Sequence, residues 1–161
     1  MSSKKVVSLD QLADRIVDLR RAGKKIVATN GCFDLLHVGH VRYLEGARNL
    51  GDVLVVGLNG DASVRALKGA GRPVNSAVDR AEVLAALATV DLVTIFPEPR
   101  ATRFITAAHP DVYVKGGDYT RESLNADERA ALEKIDAKID IVPFEAGYST
   151  SALLARLRPR G

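Results

Sequence analysis

Five short runs rich in β-branched residues, separated by stretches with helical spacing, constrain this chain more than any other feature. The runs are Lys24–Thr29, Asp52–Leu58, Asp91–Phe96, Asp111–Lys115 and Lys138–Val142. Runs this short and nearly continuously apolar suit strands covered on both faces, as in a parallel sheet. Between them, apolar residues recur at Val41, Leu44, Ala47 and Leu50 and at Val83, Leu84, Leu87 and Val90, which predicts helices over 38–50 and 80–90. Ala101–Ala108 and Ser123–Ile135 are further helical candidates. Ser8 reads as an N-cap, with Asp10 and Gln11 in the first turn and Leu12, Ile16 and Leu19 recurring before Gly23. A helix therefore leads into the first strand. Strand–helix alternation at this spacing predicts an α/β fold, a Rossmann-like doubly wound parallel sheet of about five strands between two helical layers. At 161 residues the chain is expected to be one domain, an N-terminal helix over 1–23 and a core over 24–161.

Charge raises the question of nucleic acid, since the formal balance is +3. Residues 151–161 hold Arg156, Arg158 and Arg160 and no acid, so this tail carries the whole excess and the body is neutral. A nucleic-acid binder would more often show a basic stripe within the fold. With only 5% aromatic residues the chain also offers few stacking platforms for bases. The polar start Met1-Ser-Ser-Lys-Lys is unlike a secretory leader, and no stretch approaches the length of a membrane span. One cysteine, Cys32, rules out an intramolecular disulfide and suits a reducing compartment. The expectation is a cytoplasmic protein bound to neither membrane nor nucleic acid.

In doubly wound sheets ligands sit outside the carboxyl ends of the strands, at the switch point of the winding. The loop after the first strand is the richest: Asn30-Gly31-Cys32-Phe33-Asp34-Leu35-Leu36-His37-Val38-Gly39-His40. His37 and His40 are three apart and share one face at the positive end of the helix that follows. Backbone N–H groups, two imidazoles and the side-chain-free Gly39 make a place that a phosphate can approach closely. Two rival readings exist, a pair of structural histidines and a zinc site of Cys32, Asp34, His37 and His40, though that order is not a common zinc spacing.

Other strand exits add polar groups. Lys68–Asn75 has two glycines, a proline and two cations, Lys68 and Arg72, and reads as a mobile loop able to close over phosphates. Asn59 and Asp61 stand after the second strand, where Asp61 either meets a substrate or caps the next helix. Arg80 is expected to open a helix, where the macrodipole disfavours a cation that has no other duty. Lys115, Gly116 and Asp118 end the fourth strand, whose glycines let backbone approach a flat base. Ser149 and Thr150 start the last helix and either cap it or hold phosphates. His109 is assigned no role.

The stretch Gly-Cys-Phe-Asp-Leu-Leu-His-Val-Gly-His (31–40) resembles the His-x-Gly-His signature of the nucleotidyltransferase superfamily, in its cytidylyltransferase-like branch. Within it, residues 24–154 look like the heptose 1-phosphate adenylyltransferases of ADP-heptose synthesis. Segments 67–75, 79–87, 114–119 and 147–151 extend the match in the same order. The resemblance implies transfer of AMP from ATP to D-glycero-D-manno-heptose 1-phosphate for lipopolysaccharide inner-core biosynthesis, with release of pyrophosphate. It implies His37, His40 and Lys68 as catalytic residues. Asn30, Gly31, Cys32, Phe33, Gly39, Arg80, Lys115, Gly116, Asp118, Ser149 and Thr150 would bind nucleotide, and Asn59, Asp61 and Arg72 the acceptor. Mg²⁺ would arrive with ATP, Asp34 being either a turn-former or a contact to its water shell, and a homodimer is expected because related enzymes are often dimeric. Asp91 and Asp118 match acidic positions of related cytidylyltransferases. Members fused to a sugar kinase carry that domain ahead of this one, so the short segment before the first strand predicts a separate heptose kinase.

One departure is informative. Cytidylyltransferases acting on glycerol 3-phosphate have arginine where this chain has Phe144, which argues for a different base or acceptor. The alternatives are the same chemistry with CTP or with another phosphorylated acceptor, and a non-catalytic binding module. The first loop's lack of Gly-x-Gly-x-x-Gly counts against a dinucleotide module.

Overall fold

A computed structural model of the chain describes residues 4–117, 119–144 and 146–158. Its strands are β1 (Ile26–Gly31), β2 (Val53–Asn59), β3 (Leu92–Phe96), β4 (Val112–Gly116) and β5 (Lys138–Val142). All pair in parallel, in the order β3–β2–β1–β4–β5. The helices are α1 (Leu9–Arg21), α2 (Val38–Arg48), α3 (Asp61–Lys68), α4 (Ala77–Ala86), α5 (Thr102–Ala108), α6 (Ala126–Lys134) and α7 (Thr150–Leu157). The doubly wound parallel sheet expected from the alternation is the architecture found.

Alternation along each strand builds two cores. Ile26, Ala28, Val53, Val55 and Tyr113 face one side, where they meet Leu12 and Ile16 of α1, Phe104 and Ile105 of α5 and Leu132 of α6. Val27, Leu54, Val56, Val112 and Val114 face the other and meet Tyr43 and Leu44 of α2 and Ala81 and Leu84 of α4. Gly57 belongs to the close packing of the first face: a Cβ there would lie 2.7 Å from the Phe104 ring.

The N-cap expected at Ser8 is present, as one half of a capping box. Its hydroxyl accepts from Gln11 N at 3.2 Å, and Gln11 Oε1 accepts from Ser8 N at 3.0 Å. Ahead of it, residues 5–7 lie along β3, with Val7 N donating to Val93 O and Val93 N to Lys5 O. This covers one edge of the sheet, the protection that an edge strand needs.

Boundaries move for identifiable reasons. The expected start of β1 at Lys24 shifts to Ile26, because Lys25 N donates to Asp52 Oδ2 and its carbonyl accepts from Asp52 and Val53 N. The strand then runs past Thr29 through Asn30 and Gly31. Helix α4 begins three residues before Arg80, since the Ser76 hydroxyl caps it by accepting from Asp79 N at 3.2 Å. Arg80 therefore does not open the helix. No helix among the described residues is long and apolar enough to cross a membrane.

Candidate active site

β1 is flanked by β2 and β4, so successive connections leave in opposite directions and open a crevice above its carboxyl end. The loop leaving β1 turns at Phe33, whose φ of 43° lies in the left-handed region. Its ring is buried under Gly31 and stands 5.5 Å from His40. Gly31 and Phe33 thus back the site from within.

His37 is the N-cap of α2, and His40 follows one turn on. Their ring centroids are 3.9 Å apart, the two imidazoles lying nearly on one another. Burial pushes the pKa of both down, that of His40 to about 4 with His37 adding to the effect. Both are neutral at pH 7. His37 N donates to His40 Nδ1 at 3.4 Å, which leaves the proton of the neutral His40 ring on Nε2. His37 Nδ1 is buried without a hydrogen-bond partner among the described residues. At Gly39 a Cβ would meet Tyr148 Cβ at 2.9 Å and the His37 ring at 3.0 Å, so only glycine lets these groups close together.

Asp34 is turned away from any cation site. Its side chain is 1% exposed. It accepts from Arg72 Nε at 2.7 Å, from Val74 N at 2.9 Å and from Asn75 N at 3.1 Å. Asn75 Nδ2 returns a bond to Asp34 O at 3.1 Å. The segment 68–75, expected as a mobile loop, is tied to the β1 loop through Arg72, Val74 and Asn75 by this carboxylate. Lys68 ends α3 rather than entering the loop, and it is exposed.

Burial works against ionisation of Asp34, yet the Val74 and Asn75 N–H groups and the Arg72 guanidinium outweigh it and hold its pKa below the ordinary carboxylate value. A depressed folded-state pKa contributes stability above the unfolded value, about 3.9, which is lost as pH falls through the folded one. Asp34→Asn is therefore expected to melt below the wild type at pH 7, with the difference closing below about pH 4. A difference that stays constant to pH 3 would show that the charge of Asp34 is not what stabilises the loop.

Arg80 corrects an expectation. It is 2% exposed. Its guanidinium donates to Asn75 O at 3.0 Å, to Cys32 O at 2.6 Å and to Asp61 Oδ1 at 2.8 Å. It ties three strand-exit segments together, with Asp61 as its partner. Asn59 is also engaged internally, donating to Ser63 Oγ at 2.9 Å. Burial pushes the Cys32 thiol up against the pull of Lys68, Arg80 and Arg72, which places three cations around the β1 loop and leaves the thiol protonated.

Across the crevice, Lys115 Nζ donates to Asn30 Oδ1 at 3.0 Å, and the Tyr113 hydroxyl donates to the same oxygen. Burial pushes the Lys115 ammonium down, with Glu128 and Cys32 acting the other way. Ser149 caps α7 by accepting from Ala152 N at 3.0 Å, and the Thr150 hydroxyl donates to Leu35 O at 3.3 Å. That bond holds the start of α7 against the histidine loop. Asp91 is used locally, accepting from Leu54 N and pairing with Arg48. His109 ends α5 with a left-handed φ of 38°. Asp118 lies outside the described residues.

Three aromatics stand at the rim: Phe144, noted in the sequence as a departure from the glycerol 3-phosphate enzymes, and Tyr119 and Tyr148, given no role there, at 56%, 46% and 44% exposure. Tyr148 stacks toward His37, and the Arg42 guanidinium carbon lies 5.8 Å from its ring centroid. The available signal was position, since a chain with four Tyr, four Phe and no Trp places these three in strand-exit loops.

No group of three or more His, Cys, Asp or Glu side chains able to hold a metal ion occurs among the described residues. With Asp34 committed to Arg72 and two N–H groups, the donor set fits neither the zinc reading nor a protein-held magnesium.

Residues 28–156 match the family described as cytidylyltransferase-like. The chain is 49% identical over 157 residues to the bifunctional protein HldE of Geotalea uraniireducens, covering 98% of this chain and 32% of that one. It is 52% identical over 155 residues to bifunctional protein HldE of Methylobacillus flagellatus, covering 95% and 31%. It thus spans about a third of the length of these relatives. Among solved structures, the lipopolysaccharide core biosynthesis protein from Thermoplasma volcanium superposes with a TM-score of 0.63 at 26% identity, over 76% of this chain and 97% of that one. Pantoate-β-alanine ligase from Francisella tularensis shares the fold, with a TM-score of 0.61 at 14% identity over 95% and 73%.

Proposed function

Because the chain belongs to the cytidylyltransferase-like family and is a nucleotidyltransferase, we propose that it transfers AMP from ATP to D-glycero-D-manno-heptose 1-phosphate. The products are ADP-heptose and pyrophosphate. The observation that carries the reading is the His37–His40 pair, held neutral at the start of α2 with ring centroids 3.9 Å apart, in the crevice of the switch point. The heptose acceptor is supported by the HldE relatives, and by the lipopolysaccharide core biosynthesis protein from Thermoplasma volcanium.

An oxygen of the sugar phosphate attacks the α-phosphorus in line. The bond from that phosphorus to the oxygen bridging toward the β-phosphorus breaks, and pyrophosphate carries the electron pair away. The attacking oxygen is already anionic, so no general base is needed. Neutral imidazoles suit this chemistry, since they donate hydrogen bonds to the phosphate oxygens and have no proton to lose at neutral pH. His40 Nε2–H and His37 hold the α-phosphate and the leaving group at the positive end of α2, with exposed Lys68 closing over the chain of phosphates. Asp34, Arg72 and Arg80 position the loops. The acceptor approaches from the α3 side, near Asn59 and Asp61. Mg²⁺ would accompany the triphosphate and neutralise part of its charge. The acceptor's anomeric phosphate must be installed beforehand by a sugar kinase.

A panel of ATP, CTP, GTP and UTP against heptose 1-phosphate of each anomer and glycerol 3-phosphate, read by pyrophosphate release, tests the assignment. ATP with one heptose anomer is expected to exceed every other pair by at least about tenfold, the scale of a single good contact. A preference for CTP or for glycerol 3-phosphate would replace the assignment.

A further inference from the structure

Gly116 and Gly117 end β4 beneath the Phe144 ring. A Cβ at Gly116 would lie 2.6 Å from its Cε1 and Cζ, and one at Gly117 within 2.4 Å of its Cδ2 and 2.5 Å of its Cε2. Atoms from both edges of the ring are involved, so it lies across the two glycines, while the residue stays 56% exposed. A cavity of about 360 Å³ begins there, lined by Gly116, Tyr119, Ser123 and Phe144. Tyr119 forms another part of its wall, steadied by Lys115, whose Nζ lies 5.0 Å from the Tyr119 ring centroid while bonding Asn30 on β1. Phe144 also sits 5.8 Å from the Tyr43 ring of α2, which fixes the cavity beside the element that carries the histidines.

Two half-exposed aromatic rings border this open cavity at a strand end, where a flat ligand would cover them. We propose that Phe144 and Tyr119 form an aromatic clamp that stacks the nucleobase of the triphosphate, and that this clamp gives the site its preference for a purine. The proposal rests on the nucleotidyltransferase reading and adds the residues that select the base. A bicyclic base covers more of the Phe144 face than a pyrimidine does, so stacking rewards adenine over cytosine without any hydrogen-bond readout. The glycine pair supplies the seat: a side chain at either position would push the ring into the cavity.

Equilibrium titration of the full chain with ATP, CTP and inorganic tripolyphosphate tests this. Phe144→Ala is expected to weaken ATP about tenfold, the scale of one lost base–aromatic stack. CTP should lose less, and tripolyphosphate, which has no base, should bind as to the wild type. Phe144→Trp should keep the ATP affinity. Unchanged ATP affinity in Phe144→Ala, or equal losses for ATP and tripolyphosphate, would overturn the clamp while leaving the transfer chemistry intact. Equal losses for ATP and CTP would overturn its purine preference. A wild-type chain that binds tripolyphosphate but neither nucleotide would overturn the nucleotide reading and the clamp with it.

Discussion

His40→Ala is expected to cut turnover at least about a hundredfold while the protein stays folded, because one donor aimed at developing charge is typically worth 10²–10³ in rate. The reason lies in how His40 is held. Its Nδ1 accepts from His37 N, its ring lies against His37, and burial keeps it neutral with a pKa of about 4. All of this leaves Nε2–H with no internal duty among the bonds of the site. The bond to His37 N is long at 3.4 Å, so the start of α2 depends little on it and thermal unfolding should change only slightly. His40→Asn, which keeps an N–H donor, should retain more activity than His40→Ala. The pH profile of kcat/KM adds a second readout, since it reports groups of the free enzyme. With the His40 imidazole already neutral, no step from it is expected between pH 6 and 8. A His40→Ala protein with near-normal turnover would dismantle the mechanism, and a step near 6.5, the ordinary histidine value, would remove its neutral-donor element.

Arg80→Ala should destabilise the fold by about 3 kcal/mol, the lower end for breaking a buried charged pair. The low end applies because Asp61 is partly exposed, its side chain 42% accessible, although Arg80 itself is 1% accessible. Truncation leaves the Cys32 and Asn75 carbonyls without their donor, and three segments that carry Lys68, Arg72 and the histidine loop lose their common anchor. For a domain of this size that loss corresponds to a fall in melting temperature of roughly 6–12 °C. Arg80→Lys should recover little, because a single ammonium cannot span three acceptors. The competing role, a direct phosphate contact, makes the opposite forecast: unchanged melting and a raised KM for ATP alone. Calorimetry of the variant separates the two.

Much of this was legible in the residues. Runs such as Val53–Leu58 must be covered on both faces, and the helical periods between them leave a doubly wound sheet as the economical solution. The histidine pair was legible because spacing of three on a helix fixes a shared face. Directions were not. Asp34, Arg72 and Arg80 have the composition of a phosphate site, but which of them face inward depends on contacts 38 to 48 residues apart in sequence. A buried carboxylate and guanidinium read the same in a sequence as exposed ones. The rim aromatics were hidden for the reverse reason, since an aromatic in a loop carries no periodic pattern. Only the fold shows that Phe144 lies across Gly116 and Gly117 and that Tyr148 leans on Gly39.

The proposed mechanism stands on one bond: the site breaks ATP between its α- and β-phosphorus atoms and hands AMP to a sugar phosphate. Two parallel reactions with heptose 1-phosphate locate that bond, one with ATP radiolabelled at the α-phosphorus and one with the label at the γ-phosphorus. The mechanism predicts α-label in a nucleotide-sugar that resists phosphatase and γ-label in pyrophosphate alone. Label from the γ-position in the sugar product, or α-label left in free ADP, would contradict it.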